Sequence, residues 1–160
     1  MPHTFFRPNP ARPLRLVLDT NVVMALWHFR DPGLAALAAL IAREEVHLLT
    51  RSDCLDELQR VLAYRQFSIA AELQQAVHAR YAQSCVHLPE PDQAALAELE
   101  TLPRCKDRDD QKFLGLAWSG AADGLLTRDK LLLKLARKSP FRERFCILTP
   151  ERFQLELSNE

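Results

Sequence analysis

Two aspartates of the 160-residue sequence follow short apolar runs, at the positions where buried strands are expected to end. Asp19 comes directly after the run Leu14–Leu18, and Asp129 lies two residues after the run Gly124–Thr127. In an open α/β sheet, ligands bind outside the carboxyl ends of the strands, so polar side chains at these positions are candidates for chemistry. The sequence therefore places two carboxylates where a binding crevice would open.

Two further acids stand within helical patterns, at positions that the apolar spacing assigns to an inward-facing side chain. Glu57 lies three residues after Cys54 and four before Val61, so it shares the inward stripe of its helix. Asp110 precedes a line of apolar residues that begins at Phe113. Both carboxylates are therefore expected to point toward the interior.

Four inward-facing carboxylates need a compensating positive charge, because a buried unpaired charge is costly and like charges repel. No lysine or arginine lies on the stripe beside Glu57 or Asp110, which favours a metal ion over a basic side chain. Oxygen ligands without imidazole or thiolate partners are typical of Mg²⁺ or Mn²⁺. A site of this kind is suited to phosphodiester hydrolysis, since the metal activates a water and screens charge on the phosphate.

Helix capping is the alternative interpretation for several of these acids. Asp109, Asp110 and Asp129 stand at predicted helix starts, where a carboxylate accepts backbone N–H bonds. Glu57 could be a partly exposed residue at the flank of its stripe, whereas Asp19 is harder to explain without a site. The metal interpretation therefore depends on the joint placement of two acids at strand ends and two on inward helix faces.

Apolar runs and helical patterns alternate along the chain, which predicts an α/β fold with a parallel central sheet and helices on both faces. The predicted strands cover residues 14–18, 46–50, 84–88, 124–127 and 145–148. The predicted helices cover 33–43, 52–62, 69–81, 109–119 and 129–138, with a short one after Pro150, and Ser52 is the expected cap of the second. Residues 89–106 are expected to form a loop with at least one helical turn.

Composition narrows the functional classes. Lysine and arginine total 21, as do aspartate and glutamate, so net charge favours neither nucleic acid nor a membrane surface. The four cysteines form no CxxC pair, which is typical of a reducing cytosol, and no apolar run is long enough to span a membrane. We expect an irregular arm at residues 1–13, without the features of a secretory signal, followed by one domain at 14–160.

Four sequence blocks together resemble the PIN-domain nucleases, and most closely the bacterial PIN proteins regarded as toxin components of toxin–antitoxin systems. The resemblance spans about residues 14–155. Its blocks are Leu18–Val22, Ser52 with Asp56–Leu58, Asp107–Leu114 and Leu126–Leu132. Their joint occurrence in this order is specific, whereas the first block alone is only moderately so.

The resemblance implies a three-layer α/β fold, divalent-metal-dependent ribonuclease activity with Mg²⁺ or Mn²⁺, frequent dimerisation and an antitoxin protein as partner. The metal-binding catalytic acids that it implies are Asp19, Glu57, Asp110 and Asp129, with Asp107 as an accessory ligand and Asn21 and Thr127 as hydrogen-bonding supports. Position 128 is often glycine in such motifs. An arginine there, Arg128, could obstruct the cleft or contact a phosphate.

A run of basic residues follows the last acid and is a candidate surface for RNA. Lys130, Lys134, Arg137 and Lys138 have the spacing of one face of a helix, and Arg128 precedes them. Such a strip beside the acids could contact phosphates, and an ordinary solvated helix face explains the same spacing.

Two competing functions remain open from the sequence. A haloacid-dehalogenase-type phosphatase also begins with an aspartate after its first strand, but it requires a second aspartate two residues later, where this chain has Asn21. The other alternative is a catalytically idle interaction module that keeps the fold and binds an antitoxin or a nucleic acid. The intact acids argue against an idle module, although they do not prove that the protein is catalytically active.

Overall fold

A single sheet of five parallel strands forms the centre of the protein, seen in a computed structural model that describes residues 11–158. The strands lie in the order β3-β2-β1-β4-β5. Their bounds are β1 Leu14–Leu18, β2 Val46–Thr50, β3 Cys85–His87, β4 Gly124–Leu126 and β5 Cys146–Leu148. All five predicted strands are therefore present, each within a residue or two of its expected bounds.

Helices connect the strands in the crossovers that parallel pairing requires. Within residues 11–158 they are α1 Thr20–Trp27, α2 Ala35–Ala42, α3 Ser52–Leu62, α4 Ala71–Gln83, α5 Gln93–Glu100, α6 Gln111–Ser119, α7 Lys130–Leu133, α8 Phe141–Arg144 and α9 Pro150–Ser158. Short 3₁₀ turns cover Pro32–Leu34, Arg65–Phe67 and Arg108–Asp110. In the part of the chain that the structure describes, no helix is both long and apolar enough to cross a membrane.

The central strands β1, β2 and β4 are largely buried on both faces, which explains why they are almost continuously apolar, whereas the edge strand β3 is mostly exposed. Successive side chains of a strand point to opposite faces. Leu16 accordingly joins a core with α1 to α4 and α9, and Val17 joins a second core with α6 to α8. The two cores on either side of the sheet make three layers, so the predicted three-layer α/β fold class is confirmed.

The strand order places a crevice beside β1. From β1 the chain proceeds outward to β2 and β3, then returns to the other side of β1 to form β4 and β5. The connections after β1 and β4 therefore diverge at the carboxyl ends of these neighbouring strands, which is where α/β sheets bind ligands. The backbone N–H of Asp19 donates to the carbonyl of Leu126 at 3.0 Å, which aligns the two strand ends.

Two helical predictions needed correction. The helix expected at 129–138 is regular only over α7, because the backbone beyond it bonds residues three apart, as in Leu135 to Leu132 and Lys138 to Leu135, which is the pattern of tight turns. Ser52 is the first residue of α3 rather than its cap, which is Arg51. The segment 89–106 contains α5, two turns long, which agrees with the prediction of a loop with at least one helical turn. Residues 1–10 of the predicted irregular arm lie outside the described residues.

Candidate metal centre

Three aspartates from two segments of the chain converge at the carboxyl edge of the sheet. Asp107, Asp110 and Asp129 each offer a carboxylate oxygen, and these oxygens all lie within 4.8 Å of one another. Asp107 caps the 3₁₀ turn that leads to Asp110 and α6, and Asp129 caps α7 after β4. The structure thus brings together two of the four predicted core acids and the predicted accessory acid.

Asp107 and Asp129 both cap a helical segment and converge on this group, whereas Asp110 makes no side-chain cap hydrogen bond at the start of α6. Asp129 accepts a hydrogen bond from the backbone of Leu131 at 2.7 Å, and Asp107 accepts one from Asp109 at 3.0 Å. A carboxylate has two oxygens and several acceptor positions, so one capping bond leaves capacity for a further ligand. The caps therefore fix the orientation of these carboxylates without preventing them from holding an ion.

Asp19 lies beside this group at the end of β1 and is only 5% exposed. Its Oδ2 accepts from the hydroxyl of Thr127 at 2.7 Å, and the same hydroxyl accepts from the backbone N–H of Asp129 at 2.9 Å. Thr127 therefore ties the two aspartates together, as its predicted supporting position implies. Asn21 is exposed and contributes its backbone N–H, 3.4 Å from Asp19 Oδ1, so the bond found here comes from its main chain.

Burial raises the pKa of Asp19, against the opposing effect of the Thr127 hydrogen bond. Burial also raises the pKa of Asp110 from its ordinary value of 3.8 to about 7, helped by a hydrogen bond with Asp129 and by the charges of Asp19 and Asp107. The carboxylates are thus crowded enough for one of them to hold a proton near neutral pH. An all-oxygen donor set with this excess of negative charge fits a hard divalent cation.

Glu57 departs from the sequence-based expectation, because a lysine does lie beside it. The ammonium Nζ of Lys112 is 2.7 Å from Glu57 Oε1, and the two side chains are only 14% and 16% exposed. The hydroxyl of Thr20 donates to the other oxygen, Oε2. The inward stripe of α3 has no basic residue, as the sequence showed, but the inference that no basic side chain compensates Glu57 was wrong, because Lys112 reaches it from α6.

The structure also differs from the prediction that the basic residues lie along one face of a helix. Arg128 donates to Glu151 at 2.9 Å and to Asp31 at 3.1 Å, so two carboxylates already neutralise its guanidinium. Lys130, Lys134, Arg137 and Lys138 are all exposed. Since α7 ends at Leu133, the last three do not continue one helix face as the spacing implied.

Whether this exposed strip contacts RNA can be measured from the salt dependence of binding. Changing Lys134, Arg137 and Lys138 together to Gln is expected to reduce the slope of log affinity against log salt by about 2, if each contacts one phosphate of a single strand. Mn²⁺ binding should be unchanged. The matched control removes three exposed arginines from elsewhere, namely Arg43, Arg65 and Arg80. Equal slopes for the two triple variants would show that the strip is an ordinary solvated face.

Comparisons with known proteins identify the type of domain. A family model described as PIN domain matches residues 15–131, which is more than half of the chain. Among solved structures, the chain is similar to the crystal structure of VapBC2 from Rickettsia felis bound to a DNA fragment from their promoter, with a TM-score of 0.59 and 17% sequence identity. This match covers 84% of the present chain and 97% of the other, and at that identity it shows the fold alone. No curated protein matches.

Proposed function

The chain belongs to the PIN domain family, and from this premise we propose that it is a divalent-metal-dependent endoribonuclease, the toxin component of a type II toxin–antitoxin system. PIN domains are generally nucleases. The observation that supports the proposal most strongly is the convergence of Asp107, Asp110 and Asp129 beside Asp19, at the edge where this type of sheet binds ligands.

Asp19, Asp110 and Asp129 would hold Mg²⁺ or Mn²⁺, with Asp107 as the accessory ligand and Glu57 as the fourth core acid. The ion would supply activation of water and screening of charge on the phosphate. The protein's own contribution is rigidity. Thr127 orients Asp19, and the caps of α7 and of the 3₁₀ turn orient Asp129 and Asp107 before substrate arrives.

The expected partners are RNA, an antitoxin protein and a second copy of the chain. The structural neighbour is VapBC2, solved on promoter DNA, and its similar fold supports looking for an antitoxin here. A cytosolic location is consistent with free cysteines at positions 54, 85, 105 and 146. Purification of the chain with the product of an adjacent reading frame would test the antitoxin, and light scattering would test the dimer.

Incubation of the purified protein with a circular single-stranded RNA tests the proposed activity. Mg²⁺ or Mn²⁺ should produce linear and then shorter fragments, because an endonuclease needs no chain end. A chelator should stop the reaction, and added Mn²⁺ should restore it. Cleavage that survives thorough chelation would remove the mechanism.

The same preparation separates the two alternative functions. Release of phosphate from a small phosphomonoester, with the RNA intact, would favour the haloacid-dehalogenase-type phosphatase. Asn21 argues against that function, since it occupies the position where a second catalytic aspartate is required. Binding of RNA or of an antitoxin without any cleavage would favour the idle interaction module.

A further inference from the structure

Glu57 differs from the aspartates of the metal centre in the partners of its two oxygens. The Lys112 ammonium contacts Oε1 at 2.7 Å, and the Thr20 hydroxyl contacts Oε2. Asp107, Asp110 and Asp129 instead lie close enough for their oxygens to share one ion. Glu57 is thus a carboxylate at the edge of the acidic cluster that a basic side chain already neutralises.

The burial of this pair makes exchange of Lys112 for a metal ion unfavourable. Each side chain is about one-sixth exposed or less, so a metal ion that took Glu57 would leave an ammonium group with little access to water and no carboxylate partner. The Lys112 Nζ also lies 5.5 Å from the centre of the Phe113 ring, which adds a favourable cation–π contact. Within residues 11–158, no lysine or arginine forms an ion pair with the three neighbouring aspartates, so an ion entering there meets no such competitor.

We propose that the Lys112 ammonium stays bound to Glu57 and keeps a metal ion from binding there. The protein therefore binds a single divalent ion through its aspartates. The inference rests on the metal centre of the proposed function and narrows the role of Glu57 from metal ligand to the residue that positions Lys112.

Titration of the metal-free protein with Mn²⁺, followed by calorimetry, tests the proposal without RNA. The wild type should bind one ion. Glu57→Gln should bind one ion with affinity reduced by less than about tenfold, since it loses only a nearby charge. Asp129→Asn should lose at least about 100-fold, because even the loss of a ligand's hydrogen-bond partner costs about 10- to 100-fold.

Variants of Lys112 test whether its ammonium competes with a metal ion for Glu57. Lys112→Met should gain a second, weaker Mn²⁺ equivalent because Glu57 becomes available, whereas Lys112→Arg should keep one. The double variant Glu57→Gln with Lys112→Met should return to one ion. A lysine with a purely structural role would change the melting temperature and leave the number of bound ions unaltered.

Three outcomes would overturn the proposal: two ions in the wild type, a Glu57→Gln variant that loses Mn²⁺ as severely as Asp129→Asn, or a Lys112→Met variant that still takes one ion at unchanged affinity. If Lys112→Met does not fold, the isosteric Glu57→Gln variant decides alone. Failure of the proposed function would look different, since RNA would stay intact while the Mn²⁺ titrations gave the expected counts.

Discussion

Changing Asp19 to Asn is expected to reduce cleavage of single-stranded RNA by about 10²- to 10³-fold or more, the effect of removing one well-placed electrostatic group. The metal-free variant should unfold at an equal or higher temperature than the wild type. Asp19 is buried, and its raised pKa shows that burial of its charge outweighs the Thr127 hydrogen bond. Asn removes that charge while keeping the shape and a hydrogen-bonding amide.

Melting curves with and without Mn²⁺ complete this prediction. The stabilisation by Mn²⁺ should shrink in the Asp19→Asn variant, because a ligand stabilises the native state in proportion to its affinity for it. Asp109→Asn is the matched control, since Asp109 is exposed and lies beside the metal centre without belonging to it. A clear loss of metal-free stability in Asp19→Asn, with an unchanged response to Mn²⁺, would identify Asp19 as a structural cap.

Mn²⁺ affinity is expected to rise about tenfold for each pH unit below about pH 7 and to level off above it, because binding must displace the proton of one carboxyl group. Asp110 is that group, since burial and the neighbouring acids raise its pKa to about 7. Calorimetric titrations between pH 5.5 and 8 would measure the slope. An affinity independent of pH across this range would show that no carboxyl holds a proton in the metal-free site.

The stability of the metal-free protein should fall as the pH rises toward 7, whereas the Mn²⁺ affinity rises over the same range. The folded-state pKa of Asp110 is about 7, above its ordinary value of 3.8. Between pH 3.8 and about pH 7, the folded protein therefore keeps a proton on Asp110 that the unfolded chain has already released. This contribution to stability is present at low pH and is lost as the pH rises through about 7. Asp110→Asn should remove it, which denaturant unfolding at pH 5 and pH 8 would detect as a smaller difference between the two conditions.

Much of the fold was predictable because the signals are local. A continuous apolar run such as Leu14–Leu18 indicates a strand buried on both faces, and alternation with helical patterns indicates a parallel sheet. The same reasoning placed Asp19 and Asp129 at strand ends on one edge. The predicted helix after Asp129 was too long, since the helical spacing of the sequence continues past Leu133 whereas the helical backbone ends there.

By itself the sequence determined the α/β class, the strand positions and the acids at strand ends, because periodicity of 2 or 3.6 residues is a property of short segments. Only the tertiary structure decided which acids lie close enough to share an ion and which has a basic partner. Asp107 and Asp129 are separated by β4 and α6 along the chain, and their proximity depends on how these elements pack. The contact between Glu57 and Lys112 joins α3 to α6, 55 residues apart, and no local pattern in either helix encodes that distance.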